Sequence, residues 1–465
     1  MIPVLAILLG AAMLVWPAAL NGYPLVFIDS VSYLGQTLFP EWPWDKTPAY
    51  GAFLHLFHWG WSLWVPLAAQ GLILSHLLWL TQRGLRGEAT ALGHGLLCAA
   101  LAALTSAPWF AATLMPDLLT AIGPLCLLLL GFARDRLSAV EAAWLVLLGA
   151  LAIATHLSHL PTALALMVFI GVAGRTIGAG LRAALPLVIA IVGLVAANAW
   201  ATGRPTLSPN GAVFLLARLQ ADGPAAETIR AHCPAAGWRL CGFADRLPMD
   251  SNTFLWDPQS PLNRSVTGSP IAMGGVRAAP EAQAILEATF REHPRAVAEA
   301  MARNTLAQLQ RFAVGDTLGA EHLVASARRA VERMPASELA AFDAAAQMRG
   351  ELPALAMPWL TLQPAIVLLS LPLALFALLR AVRRRDRTAA GLIAGLLLAV
   401  VVNAFATGAL SGPADRYQAR IIWLVPLAAA LGLAPRFGLG LTDDEQLRSR
   451  ITAWNTSSSS SSPSS

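Results

Sequence analysis

Ala184-Leu-Pro-Leu-Val-Ile-Ala-Ile-Val-Gly-Leu-Val-Ala-Ala-Asn-Ala-Trp-Ala201 runs eighteen residues without an Asp, Glu, Lys or Arg. A bilayer core about 30 Å thick takes about 20 apolar residues of helix, so this stretch reads as a membrane span. It also ends abruptly: from 203 to 356 the chain turns polar, then becomes apolar again. Working outward in both directions, the same pattern recurs. The predicted spans are 2–20, 62–82, 90–107, 117–133, 139–156, 161–175, 184–201, 357–380, 388–408 and 419–435. Composition agrees, with 56% hydrophobic and only 13% charged residues. Mean hydropathy is +0.58. A soluble domain carries about 25% charged residues. The expected fold class is an all-α polytopic membrane protein of about ten transmembrane helices, with one mostly helical insert.

Net charge of +5 and a pI near 9.4 raise the question of nucleic acid. The distribution of the basic residues excludes it, because many lie in short loops between spans. Arg83 and Arg86, Arg134 and Arg136, Arg175 and Arg182, and the group Arg380, Arg383, Arg384, Arg385 and Arg387 fall in alternate loops. The positive-inside rule then puts these loops and both termini in the cytoplasm. Loops 21–61, 108–116, 157–160, 202–356 and 409–418 fall outside. The first apolar segment has no basic n-region, so it reads as a retained span rather than a cleaved signal. Four units follow: an N-terminal transmembrane module 1–202 whose first outer loop is 21–61, an extracytoplasmic domain 203–356, C-terminal transmembrane helices 357–436, and a cytoplasmic tail 437–465. The Ser457–Ser465 run makes that tail low-complexity and disordered by composition.

Of four cysteines, Cys98 and Cys126 fall inside spans as packing residues. Cys233 and Cys241 lie eight apart in the insert. An oxidising outer compartment favours a disulfide between them. Zinc lacks the accompanying ligand spacing. In the first loop, Asp29 opens an amphipathic helix to Phe39, as an interfacial helix does. Trp42, Trp44, Trp59, Trp61 and Trp64 then read as an aromatic belt, with a sugar-stacking surface as the alternative.

Chemistry is expected where charge interrupts the apolar pattern. Asp29 is placed to act as a general base or to hold a divalent cation; an N-cap is the simpler account. Asp117, in Met115-Pro116-Asp117, starts the fourth span and admits the same two readings. Glu41, Asp45 and Lys46 add charge to that outer face. His156 and His159 lie one helical turn apart and suit a metal or a phosphate, or else plain interfacial hydrogen bonding. His55 and His58 repeat that spacing. Arg416 and Arg420, in Ser411-Gly-Pro-Ala-Asp415-Arg-Tyr-Gln-Ala-Arg420, lie outside against the sign rule. They offer two guanidinium forks to a phosphate or pyrophosphate, or snorkel to headgroups. No Gly-x-x-x-x-Gly-Lys, Gly-x-Gly-x-x-Gly or Gly-x-Ser-x-Gly motif appears, which argues against ATP, NAD or any nucleotide cofactor.

Four elements together resemble the lipid-dependent membrane glycosyltransferases of the GT-C fold. They are Asp29-Ser-Val-Ser-Tyr33-Leu34, Thr47-Pro48-Ala49-Tyr50, Met115-Pro116-Asp117 and Asp415-Arg416-Tyr417. The pattern looks like distant bacterial relatives of the protein O-mannosyltransferases and the aminoarabinose transferase. The likeness is best over the first 200 residues and slight in the insert. The resemblance implies an enzyme of the bacterial inner membrane that moves a sugar from a polyprenyl-phosphate donor to a glycan, lipid or protein acceptor in the periplasm. Asp29 is then the base or, with Asp117 in support, the anchor of a divalent metal. Arg416, Arg420, Lys46, Tyr33, His156 and His159 are the substrate and phosphate contacts. The chain departs from the family in reading Lys46-Thr-Pro-Ala49 where an Arg-Pro-Pro type stretch is usual. It has one acid, not an adjacent pair, in the second loop. Rival readings are a polysaccharide polymerase or O-antigen ligase, a transporter or flippase of lipid-linked sugars, and a non-catalytic scaffold.

Overall fold

The structure, a computed structural model, describes residues 1–39 and 43–433. Glu41, Trp42 and the serine-rich tail lie outside the described residues. Met1–Gly432 form one compact unit. The second unit begins at Leu433 and falls almost wholly outside the description.

The chain is helical, and the described residues hold no strand, only two isolated β-bridges. Every predicted apolar segment is helical, but the helices are unequal. Four are long and apolar enough to cross a membrane: Trp64–Arg86, Ile177–Thr202, Leu352–Arg383 and Arg387–Ala409. Ile2–Leu14, Ala91–Leu104, Pro116–Phe132, Ala139–Ala154 and His159–Gly174 are shorter. At 1.5 Å per residue, the 14 residues of Ala91–Leu104 cover about 21 Å. Local chemistry explains the breaks. Pro17 has no amide to donate, and the first segment divides at Val15 into Ile2–Leu14 and Trp16–Asn21. The fifth and sixth segments are parted by a short turn, after which helix resumes at His159. The last divides into Asp415–Ile422 and Leu424–Leu433.

Caps mark the starts. Ser138 and Glu141 form a reciprocal capping box on Ala139–Ala154, and Thr90, Thr176 and Asp386 cap three others. The pillar of the bundle is Leu119–Phe132, with every residue but its last buried. A helix apolar on all sides belongs in the middle of a bundle. Ala139–Ala154, His159–Gly174, Ile177–Thr202, Arg387–Ala404 and Trp64–Arg86 all pack on it. Gly391 and Gly395 admit the rings and branches of Phe132 and Leu128, since a Cβ at either would come within 2.5 Å of them.

The insert has its own apolar core, including Val213, Leu216, Ile229, Phe254, Leu262 and Ile285. A disulfide joins Cys233 to Cys241, while Cys98 and Cys126 are buried and free. Several contacts fasten the insert to the helices. The Gln347 side chain brackets the backbone of Val26, donating to its carbonyl at 2.8 Å and accepting from its amide at 3.2 Å. Glu338 accepts from the Tyr23 hydroxyl at 2.6 Å and from the Leu63 amide at 3.2 Å. Gln308 brackets the backbone of Ala414 in the same way, at 2.8 and 3.0 Å. There the π-helical turn Phe405–Ala409 lies on helix Pro294–Gln310, with Gly408 against the Asn304 carbonyl.

Two expectations for the first loop change. The amphipathic helix is Ser30–Leu38, and it packs on Ala49–His58 and on Ala327–Val331 of the insert rather than lying free at an interface. Its apolar face found protein to cover it. Among the tryptophans, Trp59, Trp61 and Trp64 are exposed as a belt requires. Trp44 instead stacks on Phe214 of the insert, with ring centroids 5.4 Å apart.

Candidate functional site

The site is assembled at the head of the pillar helix. Asp117 lies in the 3-10 turn Pro116–Leu118 that leads into it, where the unpaired amides of a helix start favour a carboxylate. A β-bridge between Leu25 and Thr113 binds the first loop to this turn, through Leu25 N to Ala112 O at 3.0 Å and Leu114 N to Leu25 O at 2.8 Å. The Ser30 hydroxyl donates to the Leu114 carbonyl at 3.0 Å. Thr47 ties the far end of the loop to the end of helix Ala139–Ala154 by donating to the Thr155 carbonyl at 3.0 Å. Helix Asp415–Ile422 comes from the other side, held by Gln308, by the Asp415 carboxylate accepting from Ala313 N at 3.2 Å, and by Asp316 accepting from Arg416 N at 3.3 Å.

Two charge clusters result. In the first, Asp29 Oδ2 is 3.3 Å from Lys46 Nζ and 3.7 Å from Arg416 Nη2. Lys46 also meets Asp45 at 3.1 Å. The Arg416 guanidinium lies over the Phe27 ring, 4.4 Å from its centroid, and beside Tyr417 at 5.2 Å. Although Asp29 precedes a helix, its carboxylate makes no capping hydrogen bond. It is spent on cations instead. Burial pushes the Asp29 carboxyl up, but Lys46 and Arg416 more than offset this and hold its pKa below the ordinary value. Burial works against the Lys46 ammonium, and Asp29, Tyr33 and Asp45 reverse it, leaving its pKa above the lysine norm. For Asp316, burial outweighs Arg416 and the pKa stands above the ordinary value.

In the second cluster Arg420 Nη1 donates to Asp117 Oδ1 at 2.8 Å, with both side chains almost completely buried. Arg420 Nη2 donates to the Ser158 hydroxyl at 3.1 Å, and that hydroxyl donates to His156 Nδ1 at 2.7 Å. The Ser158 amide also points at His156 Nδ1, at 3.2 Å. That nitrogen is therefore an acceptor, and the imidazole proton sits on Nε2. Tyr417 joins the clusters, with both guanidinium carbons 5.2 Å from its ring centroid.

Three buried polar atoms here have no hydrogen-bond partner within the protein: Arg416 Nη1, Arg420 Nε and Asp117 Oδ2. Unsatisfied buried groups are costly and call for a reason. Two donors and one acceptor left open in one network suit a ligand carrying both an anion and a hydroxyl.

Sequence reasoning singled out Asp29, Lys46, Asp117, His156, Arg416 and Arg420, and these six come together. Tyr33 is buried edge-on to Tyr50, ring centroids 5.2 Å apart, and interacts electrostatically with Lys46 of the first cluster. His159 stands behind the site: Nδ1 donates to the Ala152 carbonyl at 2.7 Å and Nε2 takes the Thr120 hydroxyl at 2.8 Å. Neither nitrogen is left for a phosphate or a metal. Ser158, Phe27 and Asp316 were missed. Nothing in the local sequence marks Ser158 or Asp316 as partners of residues 262 and 100 positions away. Lys46 carries a signal that was overlooked, since it is the single lysine among 32 basic residues.

A divalent metal fits these residues poorly. Asp29 and Asp117 are each already faced by a cation, and a dication would be repelled by Lys46, Arg416 and Arg420. Among the described residues no three His, Cys, Asp or Glu side chains form a ligand group. Neither a family model, nor a curated protein, nor a solved structure matches the chain. Function has to be read from the site.

Proposed function

We propose that the protein is a GT-C-type glycosyltransferase of about ten spans, with the insert and the site on the outer side of a bacterial inner membrane. It transfers a sugar from a polyprenyl-phosphate donor to a hydroxyl-bearing acceptor. One observation carries the reading. A partly open carboxylate, Asp29, stands beside a buried guanidinium, Arg416, whose Nη1 has no partner. That is a proton acceptor next to a receiver for an oxyanion.

The chemistry follows from those two roles. The lipid phosphate lies on Arg416 Nη1 and Arg420 Nε, with Lys46 adding charge. The acceptor oxygen forms a bond to the sugar's anomeric carbon as the bond from that carbon to the phosphate oxygen breaks. The leaving phosphate keeps the electron pair, and its growing charge is stabilised by the arginines. The acceptor proton passes to Asp29. Attack opposite the leaving group inverts the anomeric centre. Asp117 Oδ2 is left to accept from a sugar hydroxyl.

The resting site holds Asp29 as a weak base, because two cations favour its charged form. An arriving phosphate supplies negative charge to those same cations. Their hold on Asp29 weakens and its basicity rises when the donor is in place. The base is thereby strongest when it has work to do.

The test is direct. Protein reconstituted in vesicles with a panel of polyprenyl-phosphate sugars and with glycan, lipid and peptide acceptors should release polyprenyl phosphate and glycosylate one acceptor class. Absence of donor turnover across the panel by folded protein would overturn the reading.

A further inference from the structure

Lys46 sits in the irregular stretch between helices Ser30–Leu38 and Ala49–His58, so no helix fixes its backbone. Its ammonium nevertheless lies between Asp29 and Asp45, at 3.3 and 3.1 Å. A lysine has a flexible stem and a point charge, and unlike an arginine fork it does not orient itself on a carboxylate. Something else has to aim it.

Two anchors flank it. Thr47 is fastened on the helix side, donating to the Thr155 carbonyl at 3.0 Å and accepting from Gln36 Nε2 at 3.1 Å through its own carbonyl. Trp44 is fastened on the insert side. Its ring stacks on Phe214 at 5.4 Å and 26°, and lies 5.7 Å from Trp256. Its carbonyl accepts from Asn210 Nδ2 at 3.0 Å. The floor of this socket is Gly275. A Cβ there would come 2.5 Å from Trp44 Cη2 and 2.8 Å from Cζ3, closer than atoms pack. The indole occupies the space that a side chain at 275 would need.

We propose that Trp44 is a positioning residue: seated in the Phe214, Trp256 and Gly275 socket of the insert, it holds Lys46 between Asp29 and Asp45. The inference rests on Asp29 and Lys46 being site residues, as the proposed function has them. It makes the insert part of the active site's geometry. Whatever shifts the socket shifts the cation beside the base.

Because Lys46 is the only lysine, an amine-reactive reagent reads it as a single site, with the N-terminal amine as the internal reference. In the intact protein Lys46 should label slowly, its side chain being only 15% exposed and ion-paired to two carboxylates. In Trp44→Ala and in Gly275→Ala, labelling relative to the reference should rise by about tenfold or more as the segment opens locally. Trp44→Phe should stay slow. Combining Gly275→Ala with Trp44→Phe should restore slow labelling, since the smaller ring clears the added methyl. Trp44→Ala only removes atoms, so it carries the test if Gly275→Ala does not fold. Slow labelling in folded Trp44→Ala would overturn the proposal, because Lys46 would then hold its place without the socket. Transfer assays on the same proteins separate the two claims. Faster labelling with a fall in kcat, and donor KM little changed, supports both. Faster labelling in a protein whose wild type transfers no sugar keeps the socket and removes the glycosyltransferase reading.

Discussion

Asp29 and Asp117 are both carboxylates paired to an arginine of one short helix, yet the two pairs are built differently. The Asp117–Arg420 pair is closed, with a 2.8 Å hydrogen bond and side chains 2% and 1% exposed. The Asp29 pairs are open. Their distances are 3.3 and 3.7 Å, two cations share one oxygen, and the carboxylate is 28% exposed. Charge in a dry setting is costly to leave unpaired, and charge near solvent is cheap to rearrange. The closed pair therefore fixes the architecture, joining the pillar helix to the arginine helix. The open pair is free to exchange partners, which is what a reacting group requires. Resemblance alone ranks Asp29 above Asp117; the difference in burial gives a physical reason for that order.

The comparison breaks most readily at Arg420. Arg420→Ala leaves the Asp117 carboxylate buried without a cation, at a cost of about 3–5 kcal/mol. Denaturant or thermal melting in detergent should show that loss. A melting curve equal to wild type would mean that the closed pair does not hold the fold. Arg416→Ala should act on the ligand more than on the fold. Loss of one charge-assisted contact predicts donor binding weaker by about 1.5–3 kcal/mol, read by titration with the lipid donor. Unchanged donor affinity would return Arg416 to a headgroup-facing role.

The smallest effect concerns pH, and its sign is fixed by the depressed Asp29 pKa. A carboxylate favoured in its charged form gives its full stabilisation above the unfolded pKa of about 3.9 and loses it as pH falls through the lower folded value. Asp29 should therefore add no acid-side loss of stability between about pH 5 and 8. Lys46→Gln removes one of its two cations. Arg416 remains, and Asp45, Tyr33 and Asp117 are the other titratable groups in the cluster. The acid limb of the rate profile should move to higher pH in Lys46→Gln. A limb that stays put would show that Lys46 does not set the charge of Asp29.

Much of this arrangement was legible in the chain. Apolar length and loop polarity predicted a helical membrane protein, because those properties are local and additive along the sequence. The helix order and the candidates Asp29, Asp117, Arg416 and Arg420 came from the places where charge interrupts the apolar pattern. Helix lengths were harder to read. A proline such as Pro17 or Pro116 shortens a helix without changing the hydropathy of its window. Partners were not legible at all. Ser158 meets Arg420 across 262 positions, and Gln347 meets Val26 across 321. Nor does sequence separate His156 from His159, although one joins the network and the other is fully engaged behind it. Trp44 shows the same limit, since an exposed belt and a packed aromatic socket use the same residue type.

The central claim is that the open carboxylate does chemistry and the closed one does not. Sugar transfer by Asp29→Asn, measured in a single turnover at matched folded protein against Asp117→Asn, tests it most directly. Asparagine keeps the shape and removes the charge that takes the proton. The account predicts that Asp29→Asn melts closer to wild type than Asp117→Asn does, since the Asp29 carboxylate is 28% exposed and Lys46 keeps Asp45. Its transfer rate should fall by about a hundredfold or more. Asp117→Asn should lose stability first and transfer less steeply. Near-normal transfer by folded Asp29→Asn would contradict the account.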